Sequence, residues 1–112
     1  MGEKDLIKPF LESNGDVIFG WLNMKPGKPT TFSKLGDSLV FSLPGNPVSC
    51  FVTAHLFISR ALKILSQNAS YEFANMKVKV TTSIKLDKEW PEYHWVNVFS
   101  CSKGIFAIST GN

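Results

Sequence analysis

The chain reads as an α/β portion followed by a small all-β portion, and three observations carry that reading. Apolar residues from Val48 to Leu65 recur on a helical period and occupy most faces of the helix they imply. Strand-like apolar runs precede this stretch, and beyond Ser66-Gln67-Asn68 the period changes to two. Turn-forming residues stand at each change of period. With 112 residues, 44% apolar and 19% charged, the composition is that of folded chain amounting to one domain or pieces of two.

Residues 4–12 predict a short helix, with Leu6, Ile7, Phe10 and Leu11 on helical spacing, Ser13-Asn14-Gly15 as its stop and Pro9 as a source of kinking or shortening. Asp16 to Asn23 is nearly continuous in apolar character, as a buried strand would be. Thr30 to Lys34 and Ser38 to Leu43 predict two strands joined across Leu35-Gly36-Asp37. Pro44-Gly45 suits the centre of a type II turn, Asn46 an N-cap and Pro47 the first position of a helix running to Leu65 and buried on more than one side. His55 and Arg60 are its main polar interruptions, and His55 reads as a packing residue rather than a ligand. Strands follow at 76–86, where Val78, Val80 and Ile84 alternate with lysines, at 93–99 and at 105–108. The organisation is therefore 1–67 as a partial α/β unit, 68–75 as a linker and 76–112 as a partial β unit. A helix starting close to Met1 and turn residues Ser109 to Asn112 directly after a strand mark the chain as a piece of a larger protein.

The net charge of +3 and sequence pI near 9.0 come from dispersed lysines, which is weak support for nucleic acid and none for a membrane-surface helix, so no nucleic-acid partner is expected. No apolar run approaches the ~18 residues of a membrane span, and Met1 to Asp5 is polar, so no membrane span and a cytoplasmic location are expected. Cys50 and Cys101 lack the spacing of a metal site or a CxxC motif, and Cys50 reads as core packing.

The chemistry concentrates in two loops, Lys25-Pro26-Gly27-Lys28-Pro29-Thr30-Thr31 and Leu43-Pro44-Gly45-Asn46-Pro47-Val48-Ser49. In the second, Pro47 has no N–H, so the amides of Val48 and Ser49, the Ser49 hydroxyl and the positive end of the helix dipole are expected to face an oxyanion. In the first, Pro26 and Pro29 hold Lys25 and Lys28 in extended or polyproline geometry, where residues three apart return to one side and both ammonium groups can meet one ligand. A solvated surface turn is the other reading of the same loop.

These motifs, in this order, resemble the molybdopterin molybdenumtransferase family, which includes bacterial MoeA-type proteins and the C-terminal domain of gephyrin. Met1-Gly2-Glu3-Lys4-Asp5 is similar to the end of a glycine-rich acidic motif of that family. Met24 to Phe32, Leu43 to Ser49, Pro91-Glu92-Tyr93-His94 and Ser109-Thr110-Gly111-Asn112 resemble its later motifs. The resemblance implies a MogA-like molybdopterin-binding subdomain followed by part of a C-terminal β subdomain. It further implies a cytosolic homodimer that hydrolyses adenylylated molybdopterin, an ATP-linked intermediate, with Mg2+ and inserts molybdate into the dithiolene. By the same resemblance Asp5 falls on the acidic, catalytic position associated with Mg2+. Lys25, Lys28, Pro29, Pro44, Gly45, Asn46, Pro47 and Ser49 fall on the molybdate and phosphate corner.

Two positions depart from the family pattern, Trp21 and Trp95, where basic residues are usual. An indole donates one hydrogen bond and carries no charge, so it does not replace a guanidinium on an oxyanion. The sequence leaves three readings open: a molybdenum insertase of which this chain is an inactive fragment, a gephyrin-like scaffold that clusters receptors through a cytoplasmic loop, or a decayed copy.

Overall fold

The computed structural model describes residues 5–111, so Met1 to Lys4, with the opening motif they carry, and Asn112 lie outside it. Helix α1 spans Ile7–Asn14. Its start is set by Asp5, whose Oδ1 accepts the amides of Ile7 at 3.1 Å and Lys8 at 3.3 Å. Pro9 therefore falls in the first turn, where a missing N–H costs nothing, and the helix over Ile7–Asn14 differs from the expected 4–12 at both ends. The helix ends with the Gly15 amide donating to the Leu11 carbonyl, and Leu11 is almost completely buried.

Three antiparallel strands follow in the order β1-β2-β3: β1 Asp16–Phe19, β2 Thr31–Leu35 and β3 Ser38–Ser42. The β2–β3 ladder runs from Thr31 opposite Ser42 to Leu35 opposite Ser38, leaving Gly36-Asp37 as the two-residue connection. β1 is shorter than the 16–23 expected and is half-buried rather than enclosed. Its pairing shifts register between Val17 and Phe19, and past Gly20 the chain leaves the sheet to close a loop through the Leu22 amide on the Lys28 carbonyl. Phe32 stacks on Phe41 at 4.5 Å and contacts Phe19, which in turn meets Phe57, so a row of aromatic rings ties the sheet to the long helix.

That helix, α2, is continuous over Pro47–Leu65, α-helical at both ends and π-helical over Ala54–Ile58. Contrary to the expectation of burial on several sides, Phe51, Leu62 and Leu65 are each more than half exposed. An apolar period specifies faces that can be buried, but among the described residues the helix is covered only in part, at Thr53 and Phe57 on one side and by Trp95 and Phe73 against Phe51 and His55 on another. α2 also corrects the expectation that no apolar segment reaches membrane-spanning length: by length and composition alone it qualifies. Its contacts are protein contacts, with Thr53 fully buried against the first loop.

The second sheet has the order β4-β6-β5, from β4 Lys79–Val80, β5 Val96–Cys101 and β6 Gly104–Ser109. Of the strand expected at 76–86 only two residues pair, in parallel with β6. β5 and β6 form a regular hairpin from Val96 opposite Ser109 to Cys101 opposite Gly104. Helices and sheets together make the chain α/β in class.

Candidate functional site

The C-terminal end of β3, the exit of the first loop and the start of α1 enclose a cavity of about 610 Å³. Its walls include Asp5, Lys8, Pro29, Thr31, Ser42, Pro44 and Gly45, so four of the residues expected at the site share one space. The buried Ser42 Oγ has no hydrogen-bond partner among the described residues, which leaves a donor at the wall for an oxygen-bearing ligand. Lys8 brings a positive charge to the same cavity, its Nζ donating to the Gly20 carbonyl at 3.5 Å.

The second loop departs from its expected geometry. Gly45 is not among the glycines of positive φ, so Pro44-Gly45 bends without forming a type II turn, which would need Gly45 in the left-handed region. Asn46 is the N-cap and Pro47 stands in the first turn, as their residue types require. The cap itself overturns the expectation of free amides. Asn46 Oδ1 accepts from Val48 N at 3.0 Å and Ser49 N at 3.2 Å, so both donors assigned to an oxyanion are satisfied internally. The Ser49 carbonyl accepts the Thr53 hydroxyl at 2.8 Å.

The first loop is a compact turn and not a polyproline run. Gly27 has φ +112°, and both the amide and the hydroxyl of Thr30 donate to its carbonyl. A Cβ at Gly27 would stand 2.4 Å from Thr53 Cγ2, so this glycine lets the loop lie directly on α2 and brings the two loops together.

Lys25 reaches the helix start, whereas Lys28 is held over two indole rings. Lys25 and Val48 line a small cavity of about 140 Å³ with Pro26, Glu92 and Tyr93. Lys28 lies over two indoles, 5.1 Å from the ring centre of Trp21 and 4.6 Å from that of Trp90. Lys25 is pinned through its backbone, its amide donating to Pro91 O at 3.0 Å and its carbonyl accepting from Tyr93 N at 2.8 Å. The Lys25 ammonium pairs with Asp87 Oδ2, while Asp87 Oδ1 accepts the amides of Glu89 and Trp90. This pairing holds the Lys25 amine above its ordinary pKa. The Lys25 ammonium, with help from the two amides, lowers the Asp87 carboxyl to about 2. The ammonium groups meet at Trp90 because Gly27 reverses the chain between them and because segment 87–93 supplies the counter-charge and the ring.

Trp21 and Trp95 do not stand at one anion site. Trp21 is exposed and covers Lys28, whereas Trp95 packs on Phe51 at 5.2 Å beside an aromatic cavity that also involves His55 and His94. His55 stacks on Phe73 at 4.9 Å, a packing contact, though the ring is exposed. Sequence reasoning missed Lys8, Ser42, Asp87 and Trp90. Lys8 carried a readable signal in its three-residue spacing from Asp5 at a helix start. Asp87 and Trp90 carried none, since they reach the loop across a sequence separation of about 60 residues.

Residues 1–64 match the family model described as "Probable molybdopterin binding domain". The chain is similar to the protein named gephyrin from Dictyostelium discoideum, with 44% identity over 84% of this chain and 16% of that protein. It is similar along its whole length to the molybdenum cofactor synthesis protein cinnamon from Drosophila melanogaster, at 39% identity and 19% of that protein. A molybdopterin molybdenumtransferase from Haemophilus influenzae is 45% identical over 52% of the chain and 14% of that enzyme. The chain thus spans less than a fifth of the length of each of these relatives.

Proposed function

Because the chain belongs to the molybdopterin-binding domain family of molybdenum cofactor biosynthesis, we propose that the complete polypeptide carrying it is a molybdopterin molybdenumtransferase, hydrolysing adenylylated molybdopterin and inserting molybdate into its dithiolene. The observation that carries this reading is the cavity walled jointly by Asp5 and by residues of both proline-glycine loops. Molybdate and phosphate are tetrahedral oxyanions, and Lys8 and the unpartnered Ser42 hydroxyl are donors suited to them, whereas the Thr31 hydroxyl already donates to the Gly20 carbonyl. A carboxylate in the same space repels an oxyanion unless a cation stands between them.

Asp5 provides such a position for Mg2+. Among the described residues no group of three metal-type side chains exists, so Asp5 would contribute one ligand, with substrate phosphate oxygens and water completing the shell. When bound, the ion would withdraw charge from the phosphate anhydride. Asp5 is already oriented by the Ile7 and Lys8 amides, so its second oxygen is presented with little freedom. We read the complete protein as a cytoplasmic homodimer in which these residues bind and orient the substrate.

The test is substitution in the complete polypeptide. Asp5→Asn is expected to lower molybdate-dependent turnover of adenylylated molybdopterin by about 100-fold, the scale of a lost charge at a reacting phosphate. Lys8→Ala is expected to raise KM for molybdate. Unaltered kinetics in both variants would remove the site assignment. The scaffold reading has one observation in its favour, the exposed apolar side chains Phe51, Leu62 and Leu65 of α2. A receptor cytoplasmic loop retained by immobilised protein, and released when Phe51 is changed to Ser, would support it.

A further inference from the structure

We propose that the turn from Asp87 to Trp90 is an internal competitor of the oxyanion, occupying both loop lysines until a tetrahedral dianion displaces it. The inference rests on the reading of both loops as an oxyanion site, with Lys25 and Lys28, which lie outside the Asp5 cavity, as its added cations. The same short turn satisfies both ammonium groups by different means: Asp87 Oδ2 pairs with Lys25, and the Trp90 ring lies under Lys28 at 4.6 Å and within 5.8 Å of Lys25. The turn is built to do this. Asp87 Oδ1 accepts the Glu89 and Trp90 amides, which rigidifies the turn, aims Oδ2 at Lys25 and places the indole beside it. Backbone pairing of Lys25 with Pro91 and Tyr93 keeps segment and loop in register.

Both halves of this latch are weak enough to open. The Lys25 side chain is half exposed, so its ion pair is partly screened by water and an incoming dianion can compete for it. Lys28 on two indole faces keeps its charge and can rotate off, since a ring quadrupole is a weaker partner than an oxyanion. Displacement would free the Lys25 charge and remove one of the two rings under Lys28, leaving Trp21 as its remaining partner.

Asp87→Asn separates the two jobs of this residue. The amide oxygen still accepts the Glu89 and Trp90 amides, while the charge opposite Lys25 is lost. In the full chain, competitive acetylation read by mass spectrometry is expected to show Lys25 about two- to five-fold more reactive in this variant, the range of an exposed ion pair. Molybdate affinity, measured by equilibrium dialysis, is expected to rise by a similar factor. Trp90→Phe keeps a ring in place and is expected to raise the labelling of Lys28 more than that of Lys25. Unchanged Lys25 labelling, or molybdate affinity that stays level or falls in Asp87→Asn, overturns the competitor while leaving molybdate bound by the unaltered chain. Failure of molybdate to bind either protein overturns the competitor and the oxyanion reading together.

Discussion

The two sheets of this chain are equally regular as ladders and opposite as layers. β2 buries Thr31 and Ser33 completely, and the sheet is covered by α1 through Leu11 and by α2 through Phe57. β5 pairs with β6 over six residues, yet is exposed along its whole length, and Ala107 is the buried residue of β6. Hydrogen bonding therefore forms a sheet wherever alternation and a turn allow it, whereas burial requires a second layer. Cation-bearing loops sit on the covered sheet, and the uncovered sheet sends only its leading segment, 87–93, back to them.

The largest expected effect tests whether crowding, and not backbone conformation alone, separates these regions. Gly27 and Gly104 both have positive φ, but a Cβ at Gly27 collides with Thr53 and one at Gly104 meets nothing. Gly27→Ala is expected to cost about 4 kcal/mol from strain and overlap together, and Gly104→Ala about 1 kcal/mol from strain alone. Equal losses in urea denaturation would show that the covered region is no tighter than the open one.

A smaller effect probes the helix that covers the first sheet. Asn46→Ala removes the acceptor for the Val48 and Ser49 amides and is expected to cost about 1 kcal/mol. The same change frees those two amides, so any gain in anion affinity that accompanies it would sharpen the account of the cap as their internal partner.

The smallest effect concerns the joint between the two sheets. The Asp87 carboxyl lies at about 2 in the folded chain against an ordinary 3.8, so folding favours its charged form. Its contribution is complete above about pH 4 and is lost as the pH falls through 4 towards 2. Tryptophan fluorescence of Trp90 is expected to report that loss, and Asp87→Asn is expected to flatten this part of the acid profile. A profile unchanged by the substitution would mean that the ion pair does not couple the segment to the loop.

Much of the local structure was legible in the residues. Asn46-Pro47 announces a helix start because one residue caps and the other needs no partner for its missing N–H. The hairpin across Gly36-Asp37 follows from alternation on either side of a two-residue connection. The candidate cavity was legible in part: Asp5, Pro29, Pro44 and Gly45 lie together as their motifs implied, while Lys8 and Ser42 were overlooked. The fate of the lysines was not legible. Nothing local to Lys25 or Lys28 signals Asp87 or Trp90, which reach them through pairing far along the chain.

By itself, then, the sequence determined where helices and strands begin, which residues bend the chain and which carry charge, because caps, prolines and side-chain period act over a few neighbouring residues. Only the tertiary structure decided which amides and ammonium groups are already taken and which apolar faces are covered. Those outcomes depend on partners brought close by folding, and a hydrogen-bond donor has no way to signal locally that a distant acceptor will claim it.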